Sequence, residues 1–299
     1  TNKANGIAIC PSHRLRRWIY KTDYKISELY IPLTIKEMGA DNQFYCINKF
    51  PKRLFESNNK ILINDNAGVG KSTVLKMMFR YAIDESLEIP FYIDMKSLIK
   101  GEELISIEDY IIESFPSFKN IPSKDFLHRH LGDGTYLFLF DGADEVPDKV
   151  KEPVYREVKR FCTAVSNSKF VIATRDEDII LSAFNEFKSH SINPLKKHEA
   201  YALLRKYEFK DVKADELISE IEKDENSGIS EFLANPLLTT LLYTAYVYKR
   251  KIPLKKSLFF HQIYNSLYEN HDATKIGFLT REKKSGLDHL LTHKSEIRL

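Results

Sequence analysis

Three apolar residues, Ile61-Leu62-Ile63, run into Asn64-Asp65-Asn66-Ala67-Gly68-Val69-Gly70-Lys71-Ser72-Thr73, and a segment of helical length, 73–85, follows. The short run predicts a strand. The two glycines permit positive φ and let backbone N–H groups close around an anion. The start of the next helix adds its partial positive charge. Strand, glycine loop and helix in that order predict a phosphate-binding loop, with Asn66, Ala67, Gly68, Val69, Gly70, Lys71, Ser72 and Thr73 as its candidate contacts. Lys71 is expected on the β- and γ-phosphates, and Ser72 offers a hydroxyl to magnesium. The usual pattern has a glycine five residues before the second loop glycine, and here that position is Asp65. A carboxylate there is expected to weaken phosphate binding unless it turns outward and bonds backbone N–H groups.

Other unbroken apolar runs occur at Phe91-Tyr92-Ile93, Tyr136-Leu137-Phe138-Leu139-Phe140 and Phe170-Val171-Ile172-Ala173. Such runs suit strands covered on both faces, and helix-length segments such as 73–85 and 152–165 lie between them. The pattern predicts an α/β domain: a doubly wound parallel P-loop NTPase sheet. After Pro194 strand signals fade. Segments 198–207, 236–248 and 257–268 carry helical apolar stripes or runs and predict a small helical domain packed on the sheet. The division expected is a lead-in over 1–57, a nucleotide-binding domain over 58–193 and a helical domain over 194–272. The lead-in shows no period. Its basic cluster, Arg14, Arg16, Arg17, Lys21 and Lys25, reads as a solvated face, and Trp18 as core or interface.

The run 136–140 delivers Asp141-Gly142-Ala143-Asp144-Glu145 at its end. An acid at the C-terminal end of a buried strand lies beside the phosphate loop in such a sheet. Asp141 is expected to hold magnesium, with Asp144 and Glu145 placed to orient or deprotonate the attacking water. Thr174-Arg175-Asp176 ends the next strand. Arg175 there would face the γ-phosphate, or pair with Asp141, Asp144 or Asp176. The 90–94 strand separates loop and acid in sequence, as in ATPases, and no Asn-Lys-x-Asp guanine motif occurs, so ATP is favoured over GTP.

Composition narrows the setting. Lys+Arg 45 against Asp+Glu 42 does not suggest a dedicated nucleic-acid binder. Three scattered cysteines, Cys10, Cys46 and Cys162, have no metal-ligand spacing and fit thiols packed as small apolar groups in a reducing, cytoplasmic compartment. No apolar run approaches a membrane span. The chain starts without methionine and ends in mid-pattern, and is expected to be a piece of a longer protein.

Together, Phe138-Leu139-Phe140-Asp141-Gly142-Ala143-Asp144-Glu145, Ala173-Thr174-Arg175 and Ala234-Asn235-Pro236-Leu237-Leu238 with Ile252-Pro253 resemble the NACHT family of signal-transducing NTPases, within the STAND group. His271-Asp272-Ala273-Thr274-Lys275 and Arg281-Glu282-Lys283-Lys284-Ser285-Gly286-Leu287 are similar to bacterial members. The resemblance implies a winged-helix domain beginning within 273–299. It implies ATP/ADP and Mg2+ as cofactors, and packing of Pro236 on the adenine. Such proteins rest closed with ADP, then open with ATP and form homo-oligomers once a sensor region meets a trigger. Bacterial relatives often act in antiphage defence. The sensor and effector domains are then partners, with no membrane or nucleic acid expected. Two alternatives stand beside this reading. One is an AAA-like motor ATPase with an arginine finger such as Arg156 or Arg160. The other is a non-hydrolysing scaffold in which Asp65 marks a degenerate loop. His261, off the apolar stripe, reads as a surface histidine.

Overall fold

A computed structural model describes residues 14–16, 23–39, 43–101, 103–114, 124–133, 136–208, 212–223, 229–252 and 258–261. The readings at Cys10, Arg17, Trp18, Lys21, Pro253 and 262–299 lie outside the described residues.

Seven strands form one sheet: β1 Thr34–Glu37, β2 Phe44–Cys46, β3 Lys60–Asn64, β4 Ile89–Asp94, β5 Tyr136–Asp141, β6 Lys169–Thr174 and β7 Lys188–Ile192. Their order is β2-β1-β7-β3-β6-β5-β4. The five strands from β7 to β4 are parallel, and β1 and β2 extend the sheet antiparallel beyond β7. The aperiodic start of the chain therefore supplies two sheet strands. A separate antiparallel pair joins Arg14–Arg16 to Asp23–Lys25.

The unbroken apolar runs are strands buried on both faces. Ile61, Ile63, Leu137, Leu139, Val171 and Ala173 point to one side, and Leu62, Phe138, Phe140, Phe170 and Ile172 to the other. This is the period-two alternation of a strand with apolar residues at every position. The first side is covered by α1 Lys71–Asp84 through Val74, Leu75, Met78 and Phe79. The second is covered by α2 Ile107–Glu113, α3 Lys124–Asp133, α4 Asp148–Ala164 and α5 Asp178–Ala183. Phe161 of α4 meets Phe138 edge-on with ring centroids 4.8 Å apart. Helices on both faces of a mostly parallel sheet make this a doubly wound α/β fold.

Four helices follow the sheet: α6 Lys197–Lys206, α7 Ala214–Lys223, α8 Ile229–Ala234 and α9 Pro236–Lys249. Their apolar residues share the core on the α1 side. Among the described residues no helix is long and apolar enough to cross a membrane. Cys162 is buried as its apolar reading predicts, whereas Cys46 is exposed. His261 is exposed, as read.

Candidate functional site at the phosphate loop

The parallel order brings the C-terminal ends of β3, β6 and β5 side by side, with β6 between the loop strand and the acidic strand. Gly68 and Gly70 both have positive φ, 79° and 105°, in the loop that leads into α1. Each is also pressed from outside. A Cβ on Gly70 would lie 2.6 Å from Leu33 Cδ1, and one on Gly68 2.8 Å from Leu237 Cβ. The glycines thus serve both loop curvature and close approach.

Asp65 turns away from the loop mouth. One carboxylate oxygen accepts from its neighbour's Asn66 N–H at 2.7 Å, the other from Ile192 N–H on β7 at 2.8 Å. Its own N–H donates to Thr174 O on β6 at 3.3 Å. The carboxylate stands where the next backbone acceptor of β3 would be, and it carries the β3–β7 ladder past the point where β3 leaves the sheet. Lys71 Nζ donates to Asp65 O at 2.6 Å and Asn66 O at 2.7 Å. Burial lowers its pKa, an effect the Asp144 carboxylate opposes.

Ser72 Oγ donates to Asp141 Oδ1 at 2.9 Å, and the Tyr92 hydroxyl donates to Asp141 Oδ2. Burial raises the Asp141 pKa, and these two donors oppose that rise. Burial, with the Asp141 charge added, also raises the Tyr92 phenol. Two hard oxygen donors, a hydroxyl and a carboxylate in contact beside a phosphate loop, fit magnesium completed by phosphate and water. Among the described residues no group of three or more His, Cys, Asp or Glu is arranged to hold a metal unaided.

Gly142, at φ 73°, turns the chain into a 3-10 turn over Ala143–Glu145. Asp144 is largely buried and Arg175 pairs with it, Nε to Oδ2 at 3.0 Å. The Arg175 backbone N–H donates to the same carboxylate at 3.1 Å. Of the two arrangements open to Arg175 in the sequence, this is the ion pair. Glu145 is half exposed and pairs with Lys96, just past β4.

Most of the candidate contacts line one cleft of about 360 Å³. It brings together Ala67, Gly68, Gly70, Lys71, Ser72, Thr73, Asp141, Asp144, Glu145, Arg175 and Pro236. Asn66 and Val69 do not line it: Val69 packs on the core, and Asn66 contributes its carbonyl to Lys71. The cleft wall also carries the apolar residues Ile26, Leu29, Ile31, Leu33, Leu203 and Pro236. A phosphate loop and apolar residues in one cleft suit a ligand that is anionic in one part and apolar in another.

Four contributors escaped the sequence reading: Tyr92, Lys96, Leu33 and Asn235. The last entered only as part of the motif Ala234-Asn235-Pro236-Leu237-Leu238. Tyr92 and Lys96 reach the acids because β4 pairs with β5 in register, Asp94 opposite Asp141. No local pattern announces that pairing.

No curated protein is significantly similar to the chain. Among solved structures it is similar to domain III of the replication initiation protein DnaA of Thermotoga maritima, at 16% identity, 69% of this chain, 84% of that one and a TM-score of 0.39. A RuvB structure from Thermotoga maritima gives 11%, 72%, 64% and 0.37 for the same quantities. The ORC1 protein of Aeropyrum pernix, in complex with DNA, gives 13%, 73%, 61% and 0.39. The family model for the NACHT domain matches residues 59–211. That span runs from the start of the phosphate-loop strand, through the acidic strand and the Arg175 strand, to the helices beyond the sheet, and on that match the chain belongs to the NACHT domain family.

Proposed function

We propose that the chain binds ATP or ADP with magnesium, hydrolyses ATP slowly, and uses nucleotide occupancy to switch a larger signalling or defence receptor between a closed and an oligomerising state. The carrying observation is the convergence of the phosphate loop, the Ser72–Asp141 contact and the Pro236 end of α9 on one cleft. Lys71 leaves the loop carbonyls for the β- and γ-phosphates, an exchange of neutral acceptors for charged ones. Ser72 and Asp141 would hold magnesium, which when bound neutralises charge on the transferred phosphate. Glu145, half exposed at the mouth, orients the attacking water or takes its proton. Asp144 holds Arg175 in an ion pair, and Arg175, which lines the same cleft, is the residue we assign to the γ-phosphate. Pro236 packs on the base.

Two observations favour this reading over its rivals. The Asp65 carboxylate is committed to Asn66 and Ile192, which gives the departure from glycine a structural role without a degenerate loop. Arg160 is tied to Glu157 and the buried Glu108, which disfavours it as a finger for a neighbouring subunit.

Lys71→Ala tests the site. Loss of a charge-assisted contact worth ~1.5–3 kcal/mol should weaken binding of a fluorescent ATP analogue by ~10–150-fold. Unchanged affinity would sink the nucleotide assignment.

A further inference from the structure

A phosphate loop aims its N–H groups inward, so its carbonyls must point outward and find donors there. Four consecutive carbonyls of this loop have identifiable donors. Those of Asp65 and Asn66 take the Lys71 ammonium. That of Ala67 takes the Asn235 side-chain amide at 3.1 Å, and that of Gly68 the Leu237 backbone N–H at 3.2 Å. Two of these four hydrogen bonds therefore come from the start of α9, more than 160 residues along the chain. Asn235 also caps that helix: its Oδ1 accepts from Leu237 N–H at 3.0 Å and Leu238 N–H at 3.2 Å. One side chain thus faces two ways, its oxygen fixing the helix start and its nitrogen fixing the loop. The fit is close enough that a methyl group on Gly68 would meet Asn235 Oδ1 at 3.0 Å.

We infer that Asn235 is a positioning residue of the phosphate loop: it holds the loop carbonyls outward and thereby makes nucleotide retention depend on the docking of α9. The inference rests on the nucleotide-binding reading above and adds a residue to it. When Lys71 moves to the phosphates, the Asp65 and Asn66 carbonyls give up the ammonium, while the donors from Asn235 and Leu237 stay in place. The dependence then runs through backbone geometry and is separate from any contact of Pro236 with the base. It is also reciprocal, since whatever the docked helix adds to nucleotide affinity, nucleotide adds to docking.

The test is the dissociation rate of mant-ADP in magnesium, measured by stopped flow on the full chain, with melting temperature recorded without nucleotide. Asn235→Asp keeps an N-cap acceptor of equal quality but replaces the amide donor with an oxygen. Asn235→Ser keeps a neutral cap on a side chain too short to span both partners. Both variants should lower the melting temperature of the unliganded protein only slightly, because the Asn235–Ala67 bond is exposed, and release mant-ADP ~2–10-fold faster, the effect of one lost hydrogen bond. Wild-type dissociation rates in both would overturn the inference. So would faster release from Asn235→Asp alone, which would assign the effect to carboxylate charge, or a lowered melting temperature that accounts for the whole change, which would leave Asn235 a helix cap. If the folded wild-type chain does not bind mant-ADP at all, the nucleotide reading itself fails, a result separable from the others.

Discussion

Asp141 accepts from a hydroxyl on each oxygen, Ser72 on one side and Tyr92 on the other. A buried carboxylate is costly to ionise, and these donors favour its charged form. Tyr92→Phe removes one donor while keeping the ring in the core. Magnesium-dependent hydrolysis should fall ~10–100-fold while nucleotide affinity without magnesium holds, checked by titrating magnesium against ATPase rate. The adjacent acids differ in kind. Glu145→Gln loses an exposed carboxylate and should slow hydrolysis ~100-fold or more with ATP binding retained. Asp144→Asn also weakens the hold on Arg175, so it should both slow hydrolysis and weaken discrimination of ATP from ADP. Single-turnover rates and affinities for both nucleotides check this pair. Wild-type hydrolysis in both variants would remove the acids from the mechanism. At this scale the acids and loop residues were legible because their spacing follows from local chain geometry. Tyr92 was not, because a tyrosine inside an apolar strand reads as core until the register of the neighbouring strand is known.

At the scale of elements, the strands most plainly written are those buried on both faces, β3, β5 and β6. β7 was missed because Lys-Ser-His-Ser-Ile carries no apolar run. It is a strand because β3 and β1 flank it and bury His190 and Ile192. β1 and β2 were missed for a related reason, being short and extending the sheet from its far side. Asp65 joins these elements, and its departure from the usual glycine has a structural cause in the Ile192 N–H it accepts. Asp65→Ala should lower stability by about 1 kcal/mol, since the site is only part buried, without abolishing nucleotide binding. Denaturant titration measures the first effect and fluorescent-nucleotide binding the second. A variant as stable as wild type would show that the ladder needs no such extension.

For the whole molecule, the cleft draws its walls from the start of the chain, the sheet and the helices beyond it. A ligand that touches all three should stabilise them together. ATP or ADP with magnesium at about 100 times the dissociation constant should raise the melting temperature by ~5–10 °C. Light scattering should show a monomer under the same conditions, whereas a discrete ring with fast, cooperative hydrolysis would transfer the reading to a motor ATPase. The sequence separated sheet from helical region through the loss of strand signals after Pro194, and it marked α6 and α9 by their apolar residues. It did not reveal that the first turn of α9 lies against the phosphate loop, because nothing local to either segment encodes the meeting.

That meeting also orders events in time. Gly68 and Leu237, whose backbones are hydrogen bonded, stand about 170 residues apart in the chain. At ~5–20 residues per second of synthesis, the loop leaves the ribosome ~10–30 s before the helix that supplies donors to its carbonyls. During that interval the glycines, lysine and serine of the loop are all present in the emerging chain, yet the outer half of the cradle has not been made. If nucleotide retention depends on the docked helix as inferred above, a nascent chain arrested before residue 235 should exchange a fluorescent nucleotide faster than the released protein.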